Sequence, residues 1–392
     1  MSKDMFSGDL SRRKVLRNSS LLGAGILSLN TLSIRGQADN NDRVERIGSY
    51  IHTNHTHVLR GAEPQREPRK YTIPRDVWAK HQAAEDAAVK LANRFHQKGI
   101  AVAVGSESEN KTKLYIDFTR IKSLNKRGEM EVETPPGISL SELRSQAPER
   151  VSVKRDGVAH KFSVVTRETT VTDQDLNHYT GQYAPIPGGC QLTDKYNSGY
   201  GTLCTPVYSQ EDNEHMLSTA GHMLDGKSNR YMYQPDYTDS NPDAVSEDIQ
   251  ANDKRDFALL RQPSSYKYAL AGGSGEYDFT VNGIVAKDKL SDMAIGNGQL
   301  YMQGCTTGRY KRGVKEAYYL PTGELYQVKL DHDSQGGDSG GPYFQVDSND
   351  NAQIAGCHAW GVSYAGTDEE DAKGNTMCYL EDVPDYYENF KI

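Results

Sequence analysis

Apolar residues recur along this chain with two different periods, and the change of period divides it. From Pro74 onward, Trp78, Ala83, Ala87, Val89, Leu91, Ala92 and Phe95 are spaced near 3.6 residues, which predicts an amphipathic helix closed by Gly99. Ile100 to Val104 and Leu114 to Phe118 read as strands. Ser139 to Ala147 reads as a short helix, with Ser139 as N-cap and Glu142 three residues on. Val151 to Val165 reads as a hairpin around Asp156-Gly157. From Ala184 the helical period disappears. Short β-type runs take over: Gly201–Tyr208, Phe257–Leu260, Val281–Ala286, Gln299–Gln303, Tyr326–Leu330 and Ile354–Val362, separated by turn residues. The expected architecture is a small α+β domain followed by an all-β part of two six-stranded antiparallel barrels.

The flanks complete a four-part organisation. Residues 1–38 read as an export signal, because Arg12, Arg13 and Lys14 precede a modest apolar run from Leu21 to about Leu32. The paired arginines look like a twin-arginine signal, which predicts a secreted protein. Residues 39–70 are polar and rich in Asn, Arg, His and Pro, and read as a linker. Residues 71–183 are the α+β unit and 184–392 the β-rich one. No stretch of eighteen apolar residues occurs, so no membrane span is expected in the mature form.

Charge sharpens this division. Of the net −8, residues 184–392 carry −15 and residues 1–183 carry +7. Opposite charge favours docking of the first part on the second. The basic residues form no aromatic-laced patch, so nucleic acid is not an expected partner. All five cysteines lie in the second part and none forms a Cys-x-x-Cys pair, which argues against zinc or redox motifs. The acids Asp331, Asp347 and Asp350 match no calcium motif, and no metal or cofactor is expected.

Candidate chemistry sits in three segments: Ser218-Thr219-Ala220-Gly221-His222, Asp256-Phe257-Ala258-Leu259-Leu260 and Gly336-Gly337-Asp338-Ser339-Gly340-Gly341-Pro342. A serine hydroxyl is a poor nucleophile until a base stands within hydrogen-bond reach, and histidine has a suitable pKa. A carboxylate then fixes the histidine tautomer. Backbone N–H groups of Gly337 and Ser339 can converge on one oxyanion if the glycine-rich loop is tight.

These motifs, in this order, resemble the chymotrypsin-like serine proteases, in particular their bacterial streptogrisin-like branch. Cys305-Thr306-Thr307-Gly308 is similar to a Ser-Thr-Thr-Gly turn of that branch. The resemblance covers residues 184–392. It implies an endopeptidase in which Ser339 is nucleophile, His222 general base and then acid, and Asp256 the orienting carboxylate. Gly337 and Ser339 would form the oxyanion hole. Trp360 and Gly361 would pair with substrate backbone. Asp333, six residues before Ser339, would sit at the base of the specificity pocket and favour cleavage after Arg or Lys, with Met377 a second pocket residue. The expected partners are protein or peptide substrates, acting on a monomer. The N-terminal region would serve as propeptide, an intramolecular inhibitor or folding chaperone, with a junction near 182–189. An accessory domain, an esterase and a catalytically silent protease-fold binding protein remain alternative readings.

Departures from the resemblance leave three questions. Met223 follows His222 where many relatives carry a bridged cysteine, so pairings such as Cys190 with Cys204 and Cys357 with Cys378, leaving Cys305 over, stay open among many. Ala359 stands where relatives have a serine that supports the aspartate. Asp338 would need a cation, yet Met302 occupies the position of the usual arginine, with Arg309 and Arg312 as substitutes.

Overall fold

The computed structural model describes residues 42–391 except 59, 96, 98, 107–110, 125–129, 134–136, 173–178, 195–199, 211, 225–228, 236–241, 252–255, 262, 273–275, 333, 365–369 and 377–389. The signal-like residues 1–38 lie outside it. The polar stretch read as a linker carries β1 (Arg43–His52) and most of β2 (Arg66–Pro74), paired antiparallel. The pattern concealed them because β2 is an edge strand with mostly exposed side chains.

Helix α1 (Arg75–Arg94) follows the predicted stripe and buries Ala79, Ala83, Ala84, Ala87, Ala88, Leu91 and Ala92. Small residues there let the helix lie close on the strands beneath it. Those are β3 (Ile100–Ser106) and β4 (Thr112–Leu124), joined antiparallel. The short helix α2 (Leu140–Gln146) is capped as expected, with Ser139 Oγ accepting from the Glu142 N–H at 3.2 Å. β5 (Arg150–Arg155) and β6 (Val158–Thr172) form the hairpin, with Asp156 at φ 48° and Gly157 at φ 80° in the turn. β6 also runs parallel to β4.

The β-rich part divides in two. Its first half is a curled half-barrel of β7 (Gln191–Asp194), β8 (Tyr200–Thr202), β9 (Pro206–Ser209), β10 (Glu214–Thr219), β11 (Tyr231–Tyr233), β12 (Ala244–Ala251) and β13 (Asp256–Arg261). Their spatial order is β8-β7-β11-β12-β13-β10-β9, extended at the β9 edge by Phe390–Lys391. Two further strands, β14 (Tyr266–Ala271) and β15 (Tyr277–Val285), lead to helix α3 (Lys287–Ile295). The second half is a closed antiparallel barrel of six strands: β16 (Gln299–Gly304), β17 (Gly308–Tyr319), β18 (Leu325–Leu330), β19 (Pro342–Val346), β20 (Asn351–Tyr364) and β21 (Glu370–Thr376).

The N-terminal strands are woven into this barrel. β3 pairs with β17 through Glu316↔Gly105 to Tyr318↔Ala103. β6 pairs with β20 through Gly361↔Thr172 to Tyr364↔Thr169. β17, β3, β4, β6, β20, β21 and β18 therefore close a second ring that shares four strands with the six-stranded barrel. One hydrophobic cluster runs from Ala84 and Leu91 of α1 to Leu290 and Met293 of α3 and on to Val328 and Leu330.

Candidate active site

The three motif residues come together at the junction of the two halves. β10 and β13 pair in the register Leu217↔Leu260 to Thr219↔Ala258. That register brings the start of β13, at Asp256, level with the turn that follows β10. The turn Gly221–Leu224 carries His222. Asp256 Oδ1 accepts the His222 backbone N–H at 2.7 Å, and Oδ2 lies 2.5 Å from His222 Nδ1. The carboxylate is 2% exposed and the imidazole 45%. Ser339 comes from the β18–β19 loop, with Oγ 2.8 Å from His222 Nε2. With Nδ1–H given to Asp256, Nε2 presents its lone pair to the serine hydroxyl. Ala359 supplies a backbone carbonyl 3.3 Å from the same Oγ.

The loop around Ser339 is held by both halves. Thr202 N–H of β8 donates to Ser339 O at 2.7 Å, while Gly340 N–H donates to His358 O at 2.8 Å. Gly340 has φ 92°, and a Cβ there would lie 1.9 Å from Thr202 O. Gly337 has φ 91°, and its Cβ would lie 2.2 Å from Thr306 Oγ1. Both positions require glycine for conformation and for space. Among the described residues, the N–H groups of Gly337 and Ser339 donate to no acceptor. Both belong to the loop that carries Ser339 Oγ.

Asp338 is fully buried without a cationic partner among the described residues. Its Oδ1 accepts from Thr306 N–H at 3.1 Å and Thr307 N–H at 2.9 Å. Its Oδ2 accepts from Thr307 Oγ1 at 2.8 Å and Gln335 N–H at 3.0 Å. Burial pushes this carboxyl above the ordinary aspartate value, and the four donors act against that rise. Neither arginine considered from the sequence pairs with it. Arg309 binds Gln303, Asp278 and the Ala271 carbonyl, and Arg312 donates to Lys311 O. Met302 is a core residue.

The remaining site residues are placed as follows. Trp360 is half-buried on β20, next to Ala359. Gly361 is paired with Thr172 of β6, so its edge is occupied by the protein's own strand. Asp333 and Met377 lie outside the described residues. Cys190, Cys204, Cys305 and Cys357 are buried thiols, and no Cys190–Cys204 bridge is formed. Each donates to a carbonyl, and Cys305 Sγ reaches Gly337 O at 3.0 Å. Cys378 lies outside the described residues. No cluster of three or more metal-ligating side chains is present among them.

Sequence reasoning missed the supports of this loop: Thr202, Gln335, and the Thr306–Thr307 turn as the holder of Asp338. It also missed His358, buried one residue before Ala359. Its Nδ1 lies 2.8 Å from Tyr343 Oη, and burial, with His222 and His332 nearby, lowers it to about 3. Only the Cys-Thr-Thr-Gly run offered a signal for any of these.

No family model and no curated relative matches the chain. Solved structures do match, among them one from work titled "Aromatic interactions drive the coupled folding and binding of the intrinsically disordered Sesbania mosaic virus VPg protein". It is 15% identical, covers 52% of this chain and 93% of its own, and has a TM-score of 0.28, too loose a likeness to carry an argument.

Proposed function

We propose that the chain is a secreted serine endopeptidase, with Ser339 as nucleophile, His222 as base and Asp256 as its orienting carboxylate. The observation that carries the reading is the hydrogen-bonded series from Asp256 Oδ2 through both nitrogens of His222 to Ser339 Oγ. His222 takes the serine proton through Nε2 as Oγ attacks the scissile carbonyl, forming the Oγ–C bond. The charge moving onto the carbonyl oxygen is received by the N–H groups of Gly337 and Ser339. Collapse of this adduct breaks the C–N bond, and the proton on His222 passes to the departing amine. Water then repeats the sequence to release the acyl group. Asp256 stabilises the imidazolium. Cleavage after Arg or Lys, through Asp333, rests on the sequence alone, as does export.

In the same reading, the N-terminal region is an intramolecular inhibitor. Support comes from the pairing of Thr169–Thr172 with Gly361–Tyr364, because that edge is the one an extended substrate would extend along.

Reaction with a small fluorophosphonate that carries no peptide tests the chemistry. One label per chain, on Ser339, is expected. Labelling should be lost in Ser339→Ala and slowed by about 10⁴-fold in Asp256→Asn, where the tautomer is wrong. An unlabelled Ser339 both before and after limited proteolysis would favour the silent binding protein.

A further inference from the structure

We propose that the Thr306–Thr307 turn is the positioning device for the oxyanion site, and that it sets the site in the chain before any cut. The proposal rests on the peptidase reading above.

The geometry follows from peptide planarity. The N–H of Gly337 shares a rigid plane with the C=O of Gly336, so fixing one fixes the other in the opposite direction. Thr306 Oγ1 donates to Gly336 O at 2.6 Å. The threonine hydroxyl therefore selects which way the Gly337 N–H points. The next peptide is held as well. Gly337 O accepts from Thr202 Oγ1 at 2.7 Å and from Cys305 Sγ at 3.0 Å. Thr202 Oγ1 in turn accepts the Cys305 N–H at 2.8 Å. The plane carrying the Ser339 N–H is fixed at its other end, where Asp338 O accepts from Gly341 N–H at 2.8 Å.

The turn itself is anchored by Asp338. Its carboxylate collects the N–H groups of Thr306 and Thr307 and the Thr307 hydroxyl, so turn and loop are locked face to face. A buried carboxylate is costly unless its oxygens are bonded, which makes this contact stiff as well as specific. No new amino terminus and no arginine is needed to hold it. These bonds are present with the N-terminal region attached, so the loop is in working shape while the substrate edge is still covered.

The test uses the full-length chain, the small fluorophosphonate and an activated ester of a single amino acid. Uncut wild type is expected to label. Thr306→Val keeps the shape and removes the hydroxyl, and its kcat should fall about 10- to 100-fold with KM nearly unchanged, since the loss is in transition-state binding. Thr306→Ser should restore most of it, and should reverse the modest drop in melting temperature that Thr306→Val incurs by leaving the buried Gly336 carbonyl without its donor. Wild-type rates in Thr306→Val would overturn the proposal. So would equal losses in Thr306→Val and Thr306→Ser with lowered melting temperatures, which would mark mere packing. Labelling that appears only after limited proteolysis would overturn it while leaving the peptidase reading intact. No labelling before or after proteolysis would sink the peptidase reading itself.

Discussion

Two buried histidines outside the Ser339–His222–Asp256 series, His215 and His358, and the half-buried His55 tie the chain to neutral pH. His215 stacks on Tyr266 at 4.6 Å and lies 3.0 Å from Tyr268 Oη through Nδ1. His55 stacks on His52 at 5.8 Å. His358 is enclosed beside Ala359. Burial lowers all three from the ordinary imidazole value of 6.5. The unfolded chain therefore takes up protons that the folded chain refuses. Stability is complete above about pH 6.5 and falls as pH drops through that value towards the lowered ones. The steepest contribution of a single such histidine is about 1.4 kcal/mol per pH unit. Urea unfolding at about pH 7.5 and about pH 5 measures this, and His215→Phe should shrink the difference between the two. An unchanged difference would mean that His215 is not a group that resists protonation.

At the scale of elements, the proposed peptidase function gives β6 control of access to the β20 edge. Its last four residues take the edge of β20 from Gly361 to Tyr364, immediately beyond Trp360. A substrate reaching far to its acyl side competes with this strand, whereas a single-residue ester does not. Proline at 170 or at 171 removes a ladder N–H and weakens the strand's hold. Hydrolysis of a peptide with four acyl-side residues should then rise about tenfold or more relative to the ester. Parallel changes in both substrates would show that β6 does not control the edge. The strands that build this arrangement were unevenly legible. α1, α2 and the Asp156-Gly157 hairpin follow from period, cap and turn chemistry, all local signals. β1 and β2 do not, because their pairing with each other and with β15 is long-range and their faces are polar. The site divides the same way. His222, Asp256 and Ser339 are visible because each lies in a short motif. The holders of Asp338 are mostly backbone N–H groups, which any residue type supplies, and no spacing marks them.

For the molecule as a whole, the decisive feature is a charged cluster where β4 and β6 meet β17, β18 and β21. Arg167 of β6 binds Asp117 of β4 at 2.7 Å and Glu316 of β17 at 2.6 Å. Lys329 binds Glu316 at 2.6 Å and Asp371 at 3.5 Å. Tyr318 Oη donates towards both Asp117 and Glu316. Burial pushes Glu316 up, but Arg167 and Lys329 more than offset it and hold the group ionised. Lys373, over the Tyr318 ring, is lowered to about 8 by burial. Arg167 and Asp117 belong to the N-terminal strands, and the other charges to the barrel. Charges buried across such a seam make separation costly on both sides, because each side would keep ions without their partners. Removing one partner tests this directly. Arg167→Met should destabilise the full chain by about 3–5 kcal/mol, measured by urea unfolding, since Asp117 and Glu316 would lose their shared cation. Arg167→Met combined with Asp117→Asn should recover part of the loss, because Glu316 keeps Lys329 whereas Asp117 is the charge left uncompensated. If the single substitution costs less than about 1 kcal/mol, the cluster is not what joins the two parts. The shared apolar core of α1 and α3 would then be the seam that matters, and substitutions at Leu91 or Leu290, each 3% exposed or less, would carry the cost instead.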